Sequence, residues 1–452
     1  MSAHHKVDIE QNHGPAFTSG FMSGAQIGGP EEYELPRNAH WLTVSKLQIG
    51  DMIGVGVLAI GSAFANLGWV LGLVFSIGFL PLNIYLSLLM WEARNIHPKA
   101  TSFPLMAKAT INNKGFTLVT LLSLYLLILL IEGSYLIQLG ASLSDIAYGN
   151  DICKYWWSII VCAFLMLPML MVRTLNSARW FLWVNCACIL VTVLIVVGYI
   201  LAQLSEHGKS PENVSGTDVI PADMTWKTFF GGFSTLAFAY NGMIIYLEMM
   251  AEMKKPEDWP KTFTVSGPFQ IILYLLVGVS AYIYLGAAAN NGGGSLLDYL
   301  PKGSAISVVS NVLLFLYLSV AYLIKGNIMT RVFHNAMFPK TLNHRTRESY
   351  VHHSISATLV IVITYLIANA VPIFSQLIQI TGSLLVPITG FIMPITFVWY
   401  SRKSVGIRTS NLEKVGFVLI LIVFITLTIV GTLANVLSII DTYKSSPPFT
   451  CH

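Results

Sequence analysis

Long apolar segments with almost no charge are the feature that most limits how this chain can fold. Residues 182–201 and 417–437 are uncharged apolar stretches of about 20 residues, which as α-helices span a hydrocarbon core of roughly 30 Å. The whole chain is 54% apolar and only 11% charged, whereas soluble domains carry roughly 25% charged residues. We therefore predict an all-α integral membrane protein, because the strands of a barrel would alternate in polarity over about ten residues.

Eleven membrane spans are predicted from the apolar runs and are numbered here in chain order. Residues 1–43 are polar, lack the apolar core of a signal peptide and are expected to form a disordered cytosolic tail. Residues 438–452 are expected to form a short outer tail. The predicted spans cover residues 44–62, 68–92, 117–141, 154–172, 180–203, 229–250, 264–286, 304–333, 353–371, 377–400 and 415–437.

The distribution of basic residues predicts the orientation of these spans. If the N-terminus is cytosolic, 20 of the 26 lysines and arginines fall in inner segments, five fall in outer segments and Lys325 lies within span 8. This excess follows the positive-inside rule, so the net charge of +4 reflects topology and not a nucleic-acid partner. The long outer loop after span 5 contains one glycosylation sequon, at Asn213. Cys153 and Cys451 lie on the outer face and can pair, although two free thiols are the simpler expectation.

Glycines cluster in spans 1 and 6. Span 1 contains Gly54 and Gly56, and span 6 contains Gly231, Gly232 and Gly242. Each glycine costs up to about 1 kcal/mol of helix propensity, and irregular backbone at membrane depth is tolerated only where it lines a cavity. Spans 1 and 6 begin two blocks of five spans, a pattern typical of inverted-repeat transporters with discontinuous helices. On the glycines alone, close packing between helices is the simpler interpretation.

Three regions of the chain contain distinctive motifs. They are GVGVLA at 54–59 with AFANLGWVLG at 63–72, MKKPEDWPK at 253–261, and VPIF at 371–374 with GSLL at 382–385 and GFIMP at 390–394. Together these stretches resemble the amino acid/auxin permease family, a branch of the amino acid–polyamine–organocation superfamily. The resemblance implies an amino acid substrate and a transporter domain at 44–437. This domain would contain two inverted five-helix repeats (44–203 and 229–400) with broken helices 1 and 6, plus one extra helix (415–437). The chain differs from the family pattern at Gly61, where proline is usual, and at Asn241, where an acidic residue is frequent.

The two predicted helix breaks together suit a zwitterion. Opening span 1 would leave the amides of Gly56 and Val57 unpaired at a helix N-terminus, where about half a positive charge attracts an α-carboxylate. The outer half of span 6 would end near residues 238–240 with free carbonyls that attract an α-ammonium. Tyr240 and Asn241 would contact the substrate side chain, unless they form a helix–helix hydrogen bond. The resemblance implies the same positions. The predicted substrate-binding residues are Gly54, Gly56, Val57, Phe238, Ala239, Tyr240, Asn241 and Gly242.

Ionisable residues inside the spans are the candidates for ion coupling. Asp51, Glu132 and Lys325 each cost about 2.5–3.5 kcal/mol at the bilayer centre, so they need partners or a cavity. Burial favours the neutral form of a carboxyl, which suits Glu132 or Asp51 as a proton carrier, and a structural hydrogen bond is the alternative. Lys325 would replace a sodium ion beside span 1, as the superfamily resemblance implies, or else snorkel towards the membrane surface. Glu248 and Glu252, nearer the inner end of span 6, are expected to be solvated.

The predicted function is secondary active transport of amino acids, by proton symport with alternating access. The alternatives are a transporter-like amino acid sensor with little flux, and a sodium-coupled or related small-molecule permease. An enzyme such as a membrane-bound acyltransferase is not expected, because the eleven histidines lie in tails, loops or span ends. An ATP-driven pump is not expected, because the sequence contains no G-x-x-x-x-G-K nucleotide motif. No cofactor or metal is predicted. The expected partners are an amino acid, the proton and the bilayer of a plasma, vacuolar or lysosomal membrane.

Overall fold

The computed structural model describes residues 37, 39–150, 152–171, 179–211, 213, 216–290, 293–342, 346–371 and 373–445. Most of the predicted N-terminal tail, and the residues after 445, lie outside these described residues. Within them the regular structure is helical, apart from one isolated β-bridge between Ala39 and Met253. The α-helices are Trp41–Met52, Val55–Leu58, Ile60–Ile96, Phe103–Thr110, Lys114–Ile146, Lys154–Met171, Arg179–His207, Trp226–Ala239, Met243–Glu252, Trp259–Leu285, Ala305–Met337, Arg347–Ala370, Phe374–Leu384, Met393–Ser404, Asn411–Thr426 and Thr432–Ser445.

The membrane-spanning architecture agrees with the sequence prediction. In the described part of the chain, nine helices are long and apolar enough to cross a membrane, and Tyr155–Met171 is a shorter apolar helix that corresponds to span 4. The long helix Ile60–Ile96 contains the outer end of span 1 and the whole of span 2. The eleven predicted spans are therefore each represented by a helical segment.

The junction between spans 1 and 2 is a bend at Gly68. Its φ of 71° lies in the left-handed region, inside an otherwise continuous helix. Glycine suits this conformation because it has no β-carbon. A β-carbon at Gly72 would lie 2.9 Å from the ring of Phe64, whereas eight residues of straight helix separate two positions by about 12 Å. The chain therefore folds back on itself at Gly68.

Spans 1 and 6 are both interrupted, as predicted. Span 1 is divided between Trp41–Met52 and Val55–Leu58, and span 6 is divided between Trp226–Ala239 and Met243–Glu252. Spans 10 and 11 contain π-helical segments at Pro387–Ile392 and Leu427–Gly431. The fold is thus two five-span repeats, each opened by a broken helix, followed by one further helix.

Span 6 lies in the centre of the protein, and span 11 lies at its edge. In the most apolar 18 residues of each, 78% are buried in span 6 and 28% are buried in span 11. Glu248 and Glu252 are accordingly only 8% and 4% exposed, so the expectation that they are solvated is wrong. Their position near the inner end of a span does not expose them, because span 6 is surrounded by other spans.

The cysteines differ from the simpler expectation at one position. Cys153 is disulfide-bonded, so the expectation of a free thiol there is wrong, and Cys451 lies outside the described residues. Cys162, Cys186 and Cys188 are free cysteines.

Candidate functional site

The break in span 1 produces a buried helix N-terminus part-way along the span. Gly54 is the N-cap of Val55–Leu58 and provides no side-chain hydrogen bond. Val55 and Gly56 are the first two helical residues, and amides at these positions have no partner within a helix. The amide of Val57 differs from the prediction, because it donates to the carbonyl of Gly54 at 3.2 Å. The amides that face the break are therefore those of Val55 and Gly56, one residue earlier than expected.

The break in span 6 produces a helix C-terminus at the same depth. The carbonyl of Phe238 accepts a hydrogen bond from the amide of Asn241 at 3.1 Å, and the carbonyl of Ala239 accepts one from the Tyr274 hydroxyl at 2.8 Å. The Phe238 carbonyl also accepts from the amide of Tyr240 at the C-cap, so the predicted free carbonyls are already in use. A carbonyl oxygen has two lone pairs, so the Ala239 carbonyl keeps the capacity to accept a further hydrogen bond.

The two breaks are in direct contact. A β-carbon at Gly56 would lie 2.7 Å from the Cα of Ala239, so the backbones of the two broken helices touch. Because the partial positive end of one helix meets the partial negative end of the other, the junction presents both charges to one small volume.

A cavity lies at this junction. It brings together seven residues singled out from the sequence, whereas Val57, Tyr240, Gly242 and Glu132 are not part of its lining. Sequence reasoning did not select Val55, Ile131, Tyr135 or Ile244, which also line it. The predicted residues that line the cavity are Asp51, Gly54, Gly56, Phe238, Ala239, Asn241 and Lys325.

Tyr240 and Asn241 have different surroundings. The ring of Tyr240 is stacked on Phe79 at 5.9 Å between centroids and packs edge-on against Tyr274 at 4.9 Å. Asn241 lines the cavity, and its Oδ1 atom has no hydrogen-bond partner among the described residues. This atom would lie 2.8 Å from a β-carbon at Gly390 of span 10. Of the two side chains, Asn241 is the one that a cavity ligand can reach.

Two of the ionisable residues inside the spans, Asp51 and Lys325, line the cavity. The Nζ of Lys325 donates to the Tyr135 hydroxyl at 2.7 Å, and Lys325 attracts both Asp51 and Glu132 electrostatically. Tyr135 follows Glu132 by three residues on span 3, so helical spacing could have indicated it as a neighbour.

Glu132 is the most isolated of these groups. Its side chain is 0% exposed, and neither carboxyl oxygen has a hydrogen-bond partner among the described residues. A β-carbon at Gly326 of span 8 would lie 3.5 Å from its Oε1. Glu132 therefore lies behind the cavity wall, against the turn of span 8 that carries Lys325.

Two five-span repeats, with a cavity between their broken first helices, define the class of secondary transporters with discontinuous helices. The fold resembles the crystal structure of MhsT in complex with L-phenylalanine, a LeuT-fold transporter, with a TM-score of 0.55 over 90% of this chain and 99% of that one at 13% identity.

The family profile of the transmembrane amino acid transporter proteins matches residues 37–438, and the chain belongs to this family. It is 23% identical to the N amino acid transport system protein of Neurospora crassa, with 96% of this chain and 93% of that protein covered. It is also 23% identical to lysine histidine transporter-like 3 of Arabidopsis thaliana, with 81% and 82% covered.

Proposed function

We propose that the protein is a secondary active transporter that moves amino acids by proton symport with alternating access. The observation that carries this proposal is the contact between the two breaks at Gly56 and Ala239, beside a cavity that also contains charged groups. The names of the relatives, which are amino acid transporters, support the substrate class.

The helix ends suit the two charges of an amino acid. The α-carboxylate would bind the amides of Val55 and Gly56, where the helix N-terminus provides about half a positive charge. The α-ammonium would bind the second lone pair of the Ala239 carbonyl, beside Phe238. The substrate side chain would then contact Asn241. Tyr240, which packs against Phe79 and Tyr274, would support the helix end next to the cavity.

Proton coupling would depend on the carboxyls of Asp51 and Glu132. A carboxyl in a low-dielectric site favours its neutral form, and loss of the proton creates a charge that needs a counter-ion. Lys325 lies within electrostatic reach of both groups and would provide that counter-ion. Its ammonium would also occupy the position of a coupling cation beside span 1.

The proposal includes the orientation of the chain and the membrane in which it lies. The excess of basic residues in the predicted inner segments supports a cytosolic N-terminus. The membrane would be the plasma membrane or a vacuolar or lysosomal membrane.

The test is uptake of a labelled amino-acid panel by proteoliposomes under an imposed proton or sodium gradient. We expect accumulation to follow the proton gradient. Glu132→Gln should remove concentrative uptake and spare substrate exchange, because the amide resembles the protonated carboxyl. Lys325→Ala should weaken uptake at every sodium concentration, and Glu206→Gln, in an exposed outer segment, is the matched control.

Two results would contradict the proposal, and one would change the residue that carries the proton. Accumulation that needs sodium and ignores pH would exclude proton symport. Unchanged concentrative uptake by Glu132→Gln would leave Asp51 as the carrier. Binding of amino acids without flux would identify a sensor instead of a transporter.

A further inference from the structure

A buried asparagine in span 11 joins this helix to both spans 6 and 10. Span 11 lies at the edge of the protein, yet Asn435 is only 1% exposed. Its Nδ2 donates to the Ser383 hydroxyl at 3.0 Å, to the Gln379 carbonyl at 3.0 Å and to the Ser234 hydroxyl at 3.2 Å. The two hydrogens of one amide nitrogen are thus shared among three acceptors on two other spans.

Glycines bring the three helices into close contact around this asparagine. A β-carbon at Gly382 of span 10 would collide with the carbonyl of Ser234 and lie 3.1 Å from the β-carbon of Phe238. A β-carbon at Gly431 of span 11 would lie 3.4 Å from the β-carbon of Ser383. Small residues allow membrane helices to approach closely, so span 10 packs directly against the backbone of span 6 and the outermost helix packs on span 10.

Ser234 connects these contacts to the cavity. It lies in the first half of span 6, the helix Trp226–Ala239, one helical turn before Phe238. Both Phe238 and Ala239 line the cavity, and the Ala239 carbonyl is the proposed acceptor of the substrate ammonium. Because the residues of a helix keep a fixed rise and rotation relative to one another, a hydrogen bond at Ser234 also fixes the position of the last residues of this half-helix.

Two other contacts of the same half-helix act at its ends. At its beginning Lys227 pairs with Asp441 of span 11 at 2.6 Å, but both side chains are partly exposed, and ion pairs of this kind contribute little. At its end the Tyr274 hydroxyl donates to the Ala239 carbonyl. The bond from Asn435 lies between them in a buried site, where water does not compete for the donor and acceptor and a hydrogen bond is stronger than at the surface.

We propose that Asn435 is a positioning residue for substrate binding, an inference that rests on the transport function proposed above. Its hydrogen bonds hold the first half of span 6 against spans 10 and 11, at the depth and rotation where the Ala239 carbonyl faces the cavity. Asn435 acts through Ser234 and does not itself line the cavity. A residue that served packing alone would change the stability of the protein without changing its affinity for substrate.

The first measurement is amide hydrogen exchange of residues 226–239 in the full-length protein in nanodiscs, without substrate. Asn435→Leu removes the donor, and Ser234→Ala removes the acceptor on span 6, so both variants lose the same hydrogen bond from opposite sides. Thr428→Val is the matched control in span 11, because the Thr428 hydroxyl donates to the Phe424 carbonyl of its own helix. We expect exchange to rise roughly 3- to 10-fold in the first two variants and to stay unchanged in the control. Exchange equal to that of the wild type in both variants would overturn the proposal, whether or not the protein transports amino acids.

The second measurement is the uptake kinetics of the same variants in proteoliposomes, with the amino acid that the wild type takes up best. We expect KM to rise roughly 3- to 10-fold in Asn435→Leu and in Ser234→Ala, with the maximal rate per folded protein unchanged. A lower unfolding midpoint with the KM of the wild type would show that Asn435 serves packing alone and would overturn the proposal. If Asn435→Leu does not fold, the result for Ser234→Ala decides. If the wild type neither binds nor takes up any amino acid, the transport proposal fails, and the exchange measurement alone decides whether Asn435 holds span 6 in position.

Discussion

The interruptions of spans 1 and 6 face the same cavity but are stabilised in different ways. In span 1 the break depends on missing side chains, because Gly54 has no capping group and Gly56 touches the backbone of Ala239. In span 6 it depends on side chains that are present, because Tyr274 binds the Ala239 carbonyl and packs against Tyr240. A similar backbone feature therefore has two different sequence signals.

The two adjacent glycines of span 6, Gly231 and Gly232, serve helix packing and not the break. Gly231 and Gly232 lie inside the continuous helix Trp226–Ala239, away from the break. A β-carbon at Gly232 would lie 2.6 Å from the Leu67 side chain and 3.1 Å from the Ala63 carbonyl. These glycines allow span 6 to pack closely on span 1, so the packing interpretation of the sequence holds for them.

The largest expected effect is that of Gly56→Val, which would disrupt the contact between the two breaks. The added side chain would meet the backbone of Ala239, which cannot rotate away, so we expect uptake to fall to background while the protein stays inserted. Gly78→Val is the control, because nothing lies within 4 Å of a β-carbon at Gly78. Proteoliposome uptake, normalised to the monodisperse fraction in size exclusion, measures both. Normal uptake by Gly56→Val would place the substrate site elsewhere.

Gly232→Ala should have the next largest effect, and it should act on stability. Overpacking typically costs about 1–3 kcal/mol, and the methyl group would meet both Leu67 and the Ala63 backbone. We expect a lower thermal unfolding midpoint in detergent. A midpoint equal to that of the wild type would mean that spans 1 and 6 separate easily, contrary to the packing described.

Tyr274→Phe tests whether the hydrogen bond from the Tyr274 hydroxyl to the Ala239 carbonyl contributes to substrate binding. Loss of a hydrogen bond costs about 0.5–1.5 kcal/mol, so we expect the apparent substrate affinity to fall by roughly 2- to 10-fold. Tyr125→Phe is the matched control, because no hydrogen bond of the Tyr125 hydroxyl is present among the described residues. An equal change in both variants would show that the Tyr274 hydroxyl has no particular role at the break.

The smallest effect is expected for Gly231→Ala. Its β-carbon would lie 3.3 Å from the end of the Gln379 side chain, which can move. Alanine gains about 0.5–1 kcal/mol of helix propensity over glycine, so the unfolding midpoint should stay equal or rise slightly. A large loss of stability would remove the distinction between Gly231 and Gly232.

The sequence determined the membrane class, the eleven spans and the two interrupted helices. These depend on local properties, because hydropathy over about 20 residues predicts a span and the motif at 54–59 indicates the first break. The break in span 6 was also predicted correctly and follows Ala239, although Gly231 and Gly232, which drew attention to this span, have another role.

Only the tertiary structure decided which groups meet. The hydrogen bond of Lys325 to Tyr135 joins residues 190 positions apart, and the burial of Glu248 follows from the central position of span 6. The hydrogen bond of the Val57 amide and the stacking of Tyr240 on Phe79 likewise depend on how the halves of spans 1 and 6 pack against neighbouring helices. The physical reason is that hydropathy and helix propensity act along the chain, whereas contacts between spans depend on their packing in three dimensions.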